Sequence, residues 1–221
     1  MVPVMTPREI THIVWDWNGT LFCDSELVVA ATCESFAELG LPALTAEQYQ
    51  ANYTHPVRVF YERVLGRPVL SDELSRINQL FHDAYHRRIN ECVLTPGAAE
   101  VVGTWQQRGG SQSLLSLYQH DRLVPLVERL GLAKAFLRVG GRHDALPGQK
   151  AEHMVAHLRA LGVPGECTLV VGDTLDDAHA AAKAGARCVL HAGGQQTREV
   201  LASAGVPVVE RLVDVLDHVI G

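Results

Sequence analysis

The chain has 221 residues, 47% of them hydrophobic and 20% charged, enough for one large domain or for a core with a small accessory domain. A formal net charge of -6 disfavours nucleic acid as a partner, because nothing in the composition favours counterion release from a polyanion. Residues 1–11 lack a basic segment followed by an apolar stretch, and no apolar run approaches bilayer-spanning length; no membrane association and a cytoplasmic location are expected.

Taken in chain order, residues 11–15 form a short β-branched run that stops at Asp16 and is followed by Asn18-Gly19-Thr20, which predicts a buried strand entering a loop. Residues 22–92 differ. Apolar residues recur there at helical spacing, as in Leu27, Val28, Ala31, Phe36 and Leu39, and Thr45 with Gln48 predicts a capping box, so an all-helical insertion is expected. Pro96 suits the first turn of a helix ending near Gly109. Further short apolar runs at 113–116, 136–139, 168–171, 188–190 and 206–209 predict strands. The helical patterns between them close at Gly131, Gly162, Gly185 and Gly205. Alternating strand and helix implies an α/β fold with a parallel sheet covered on both faces. The tail, residues 200–221, reads as helix, strand and helix.

The five cysteines are widely spaced and show no CxxC pair, so they are expected to be reduced; Cys23, just after the first acidic loop, is the one positioned to sense oxidants. Of eleven histidines none shows metal-ligand spacing, and His82 with His86 reads as helix surface. Trp15 is expected in the core and Trp17 in the loop.

Two acidic loops carry the chemistry. Asp16 ends one predicted strand, and Gly172-Asp173-Thr174-Leu175-Asp176-Asp177 follows another and opens a helix. If the two strands are neighbours, Asp16 and Asp173 converge at the edge where open parallel sheets bind ligands. Clustered carboxylates with water and phosphate oxygens suit Mg2+. A phosphoryl group beside such a cluster also needs donors and a cation, and Ser116 and Lys150 are the candidates. Only three lysines exist: Lys134 follows Gly131 at a helix end and Lys183 lies far along a helix, which leaves Lys150.

In the order Asp16 motif, Ser116, Lys150 and Gly172-Asp173-x-x-x-Asp177, the chain resembles the haloacid dehalogenase superfamily over nearly its whole length. The resemblance implies a Rossmann-like parallel core formed by residues 1–21 and 93–221. It also implies a helical cap of residues 22–92 inserted after the first strand, as in phosphoglycolate phosphatase-like members. It implies a Mg2+-dependent phosphatase acting on a small phosphorylated metabolite. Asp16 would be the nucleophile, Ser116 and Lys150 would hold the transferring group, and Asp173 would complete the metal site. Asp177 would orient Lys150 or water, and Asn18 would offer its backbone carbonyl to the metal. Thr20 in the first loop, with His55 and Arg58 in the cap, are candidate substrate-binding residues.

Position 18 departs from the family pattern, which has Asp there as general acid-base. An amide cannot transfer that proton, and losing such a group slows a reaction by about 10²–10⁴-fold. Slow turnover, dependence on a good leaving group, or a substitute such as His55 or His120 are the expectations. The rival readings are a binding or regulatory protein that keeps the metal site without turnover, and a phosphotransferase. A dehalogenase would not need Asp173, and a phosphonate-cleaving relative would need a cap lysine that residues 22–92 lack. The sequence leaves the oligomeric state open.

Overall fold

The computed structural model describes residues 9–143 and 149–219. Strand β1 (His12–Trp15) leads into a tight loop and the two-residue strand β2 (Phe22–Cys23). Four helices follow: α1 (Ser25–Glu38), α2 (Ala46–Asn52), α3 (Val57–Leu65) and α4 (Ser71–Arg88). The chain returns through β3 (Val93–Leu94), α5 (Ala98–Gln107), β4 (Ser111–Gln119), α6 (His120–Arg129) and β5 (Val139–Arg142). It ends with α7 (Lys150–Leu161), β6 (Thr168–Gly172), α8 (Leu175–Ala184), β7 (Arg187–His191), α9 (Arg198–Ala202) and β8 (Val208–Val209).

Six strands form one parallel sheet in the order β5-β4-β1-β6-β7-β8. The chain leaves β1 in one direction to β4 and β5 and later returns to its other side at β6. A crevice therefore opens at the carboxyl ends of β1, β4 and β6, the usual ligand position in such sheets. Register is firm at the centre: Trp15 lies beside Leu114 of β4 and Val171 of β6. Alternate side chains feed the two faces. Ile13, Trp15, Leu114, Leu169 and Val171 pack with α5, α6 and the C-terminal turn, whereas Val14, Leu115 and Val170 pack with α7 and α8.

The helical segment between β2 and β3 is tied at its base, because these two strands pair antiparallel, Phe22 against Leu94 and Cys23 against Val93. Phe22 and Cys23 are therefore strand, where the sequence pattern placed the start of a helical insertion. The capping box forms as expected, with Gln48 N–H donating to Thr45 Oγ1 (3.1 Å) and Thr45 N–H to Gln48 Oε1 (2.9 Å).

Three further expectations are adjusted. The strand expected at 136–139 lies at Val139–Arg142, because Gly140 and Gly141 let β5 approach its covering residues: a Cβ at Gly140 would meet His157 at 2.9 Å, and one at Gly141 would meet His120 at 2.6 Å. The expected last helix is a 3-10 helix, Leu212–His218. Trp17 is in the loop but fully buried, stacked on Phe22 with centroids 5.1 Å apart.

A buried histidine pair lies under β1 and β4. His12 contacts Ser111 and Ser113 hydroxyls (2.8 Å each), and His157 contacts Ser113 (2.8 Å). Burial lowers His12 to about 4; burial, with Arg138 and His12 adding to it, lowers His157 to about 4. Both stay neutral in the folded protein, while the unfolded chain binds protons near the ordinary value of 6.5. The unfolded state thus holds more protons between these values, so stability is full above that window and falls as pH drops through it. The expected loss from pH 7.5 to pH 5 is on the order of 2–3 kcal/mol from this pair. Urea unfolding of wild type and His157→Gln at both pH values checks it: the variant's stability should change less over the interval.

Candidate active site

The carboxyl ends of β1, β4 and β6, together with the start of α7, bring polar side chains to one place. Asp16 follows β1, with its N–H bonded to Val171 O of β6 (2.8 Å), so the two acidic loops leave the sheet side by side. Asp173 follows β6, Ser116 lies within β4, and Lys150 begins α7. Lys150 Nζ is 2.5 Å from Asp16 Oδ1 and 2.5 Å from Asp177 Oδ1, all three side chains being buried. Asp16, Asp173 and Asp177 each place a carboxylate oxygen within 4.8 Å of the others. The four acidic-loop and lysine positions singled out in the sequence thus converge.

Glycine makes this crowding possible. A Cβ on Gly172 would stand 2.1 Å from Asp177 Cγ, one on Gly194 would stand 2.1 Å from Asp173 Oδ2, and one on Gly19 would stand 2.2 Å from the same oxygen. Asp173 is then fixed by Gln195 N–H on Oδ2 (2.6 Å) and Thr20 Oγ1–H on Oδ1 (3.2 Å). Thr20, a candidate substrate residue, is engaged in holding this carboxylate. Asp177 Oδ2 accepts from Thr174 Oγ1 (2.6 Å) and N–H (3.1 Å), closing the first turn of α8.

Burial raises the Asp16 carboxyl to about 7; Lys150 opposes that rise and Asp177 adds to it. Burial also pushes Asp173 up, reinforced by Asp16 and Asp177. For Lys150, burial works against the ammonium, but the charges of Asp16 and Asp177 outweigh it and hold its pKa above the usual lysine range. Of these opposed tendencies the ion pair decides the Asp16–Lys150 contact, since a 2.5 Å approach to an ammonium favours the carboxylate. Three buried carboxylates facing one ammonium leave negative charge that a hard divalent cation would offset, and their oxygen donors suit Mg2+. Asp16 and Asp173, with Asp177 in the same cluster, are the residues that could hold it.

Ser116 is buried; its Oγ–H donates to Asn18 Oδ1 (3.4 Å) and its oxygen accepts from Tyr118 N–H (3.0 Å). The helical segment between β2 and β3 reaches the loop after β7. Gln196 Nε2 donates to Tyr53 O (2.7 Å), and Gln50 Nε2 donates to Gly194 O (3.1 Å). His55 bonds Tyr53 Oη (3.0 Å) and senses the charges of Asp176, Lys150 and Asp177. Arg58 points elsewhere: its guanidinium donates to Val69 O and Ser71 Oγ (3.4 Å for the latter), bracing the α3–α4 loop. His120 Nδ1 accepts from Gly141 N–H (3.3 Å) and its ring lies 4.6 Å from that of His143.

A family model for haloacid dehalogenase-like hydrolases matches residues 10–185. The chain belongs to this hydrolase family. It is 28% identical over 223 residues to phosphoglycolate phosphatase 1 of Pseudomonas aeruginosa, covering 97% of this chain and 81% of that protein. It is 29% identical over 185 residues to the phosphoglycolate phosphatase of Pseudomonas savastanoi pv. phaseolicola, covering 80% and 67%. A solved haloacid dehalogenase-like family protein of Streptococcus pneumoniae superposes with a TM-score of 0.81 at 20% identity over 95% of this chain and 98% of that one, a likeness of fold. Among the described residues no helix is long and apolar enough to cross a membrane.

Sequence reasoning passed over Asp24 and Tyr85, which contact Asn18, and Gln195 and Gln196, which hold Asp173 and the cap. The thiol of Cys23 is raised by burial and by Asp24 and Glu26, which works against the thiolate an oxidant sensor needs. His82 and His86 stack on each other on the helix surface, His82 exposed and His86 half-buried where it also faces Tyr118.

The acidic cluster makes a metal prediction. Saturating Mg2+ should raise the wild-type melting temperature by about 5 °C or more. Asp173→Asn and Gly194→Ala, the latter displacing Asp173, should each abolish that rise while circular dichroism shows a folded protein.

Proposed function

We propose that this hydrolase is a Mg2+-dependent phosphatase that releases phosphate from a small phosphate monoester through a phosphoryl group carried on Asp16. The observation that carries the reading is the buried Lys150 ammonium between Asp16 and Asp177, with Asp173 beside them. A carboxylate held against a cation at the end of β1 can approach a phosphoryl group only where its charge is matched, and this cluster matches it.

In this reading Asp16 Oδ attacks phosphorus, the ester P–O bond breaks, and the leaving oxygen takes the electron pair. Ser116 Oγ–H and Lys150 hold the phosphoryl oxygens, and Asp177 keeps Lys150 in place. Bound Mg2+, held by Asp16, Asp173 and the Asn18 carbonyl, would supply further charge neutralisation. Water then attacks phosphorus and the bond to Asp16 breaks, restoring the carboxylate. Residues 22–92 would act as a cap domain on a core of residues 1–21 and 93–221, with Tyr53 and His55 over the crevice excluding water. A substrate like the phosphoglycolate named for its relatives suits this size class.

Asn18 favours a second reading. Without a proton donor at that position the protein could bind a phosphorylated metabolite, or pass the phosphoryl group to another acceptor, without productive hydrolysis. A panel of small phosphate esters with Mg2+ separates these. Phosphate release should exceed that of Asp16→Asn by at least about 10³-fold on the best substrate; release equal to the variant's overturns the phosphatase reading and leaves binding or transfer to another acceptor.

A further inference from the structure

Position 18 is the half-buried residue in a loop whose other members, 16–22, are buried, and its side chain reaches Ser116 of β4. Its amide is fully assigned by its neighbours. Asn18 Nδ2 donates one hydrogen to Asp24 Oδ2 (2.7 Å) and the other to Tyr85 Oη (3.0 Å). Tyr85 donates its single hydroxyl hydrogen to the same Asp24 oxygen (2.6 Å), and Gly19 N–H donates to Asp24 Oδ1 (2.9 Å). A carboxylate accepts and does not donate, which sets the amide nitrogen toward Asp24 and the amide oxygen toward Ser116. Both N–H groups of Asn18 are thereby engaged away from Ser116. What remains toward the crevice is an acceptor, with one lone pair lightly used by Ser116 Oγ at 3.4 Å.

That orientation excludes one role and supports another. Asn18 has no hydrogen left to give a leaving group, but an amide oxygen fixed beside the phosphoryl site can accept a hydrogen from water and aim it. Phosphoryl transfer to water goes through a loose transition state in which positioning matters more than deprotonation of the nucleophile.

We propose that Asn18 orients the water that hydrolyses phosphoryl-Asp16, and that Asp24 and Tyr85 are positioning residues that lock its amide for that step. The inference rests on the phosphatase reading above. Water oxygen forms the new bond to phosphorus while one of its hydrogens is held by Asn18 Oδ1. The bond from phosphorus to Asp16 breaks, its electron pair returns to the carboxylate, and the proton lost by water goes to a phosphate oxygen, giving dihydrogen phosphate. No base beyond the phosphoryl group is needed. The first step has no donor at position 18, so phosphorylation of Asp16 favours leaving groups stable as anions.

The test separates the two steps by labelling Asp16 with radiolabelled acetyl phosphate and Mg2+, chasing with unlabelled reagent and following loss of label. Tyr85→Phe should label at a rate within about twofold of wild type, and Tyr85→Phe and Asn18→Ala should both lose label at least about tenfold more slowly. Equal loss rates in wild type and variants, or labelling slowed as much as loss, would overturn the assignment. A wild type that acquires no more label than Asp16→Asn refutes the phosphatase reading itself, a separate result. The lock is read independently of activity by exchanging the two groups. Asn18→Asp sets a second carboxylate against Asp24 and should lower the melting temperature, and Asn18→Asp combined with Asp24→Asn should recover at least half of that loss. A double variant no more stable than Asn18→Asp would show that the pair does not fix the amide.

Discussion

The fold is organised around a buried cation, Lys150. Lys150 begins α7, where the helix dipole disfavours positive charge, and its side chain is removed from water as well. Among the described residues Asp16 and Asp177 offset both penalties. These partners come from opposite ends of the sequence, so the ion pairs form only if β1 and β6 are adjacent and α7 and α8 cover the same face. Removing either carboxylate would leave a buried charge without its match, which makes the cluster a constraint on topology as much as on chemistry.

Carboxylates in such numbers can meet because the backbone around them carries no side chains. Gly172, Gly194 and Gly19 each leave the space that an Asp occupies. This gives the Gly-Asp-x-x-x-Asp spacing a physical meaning: Asp177, in the first turn of α8, folds back over the Cα of Gly172 and receives the Thr174 hydroxyl and N–H. Helix start, strand end and ion-pair partner are the same six residues. A motif so dense in local constraints is legible from sequence, and so was the strand–helix alternation that brings it to the sheet edge.

What was not legible depends on contacts across long separations. Tyr85 reads in the sequence as one apolar position of an amphipathic helix; only the return of α4 over the first loop brings its hydroxyl to Asp24, 61 residues away. Arg58 carried a charge suited to an anion, but its reach to Val69 and Ser71 depends on the turn between α3 and α4. Gly140 and Gly141 gave no apolar signal, so the strand they belong to was read too early; the closeness of His157 and His120 that requires them is a packing fact.

The cap and the acidic cluster are joined by one continuous set of contacts. Tyr85 near the end of α4 and Asp24 just before α1 stand at the two points where the chain crosses between core and cap, on either side of the paired strands β2 and β3. Asp24 holds the Gly19 N–H, and Gly19, at a φ of 73° that favours glycine, lies against Asp173. Asp173 in turn is held by the Gln195 N–H, and its neighbours Gly194 and Gln196 accept from Gln50 and donate to Tyr53 of the cap. The path leaves the cap at its base and re-enters it at its far edge, passing through the carboxylate proposed to hold the metal. The helices between β2 and β3 are thus tied to the Asp173 loop from both sides, through buried bonds at Asp24 and part-buried bonds at Gln50 and Gln196.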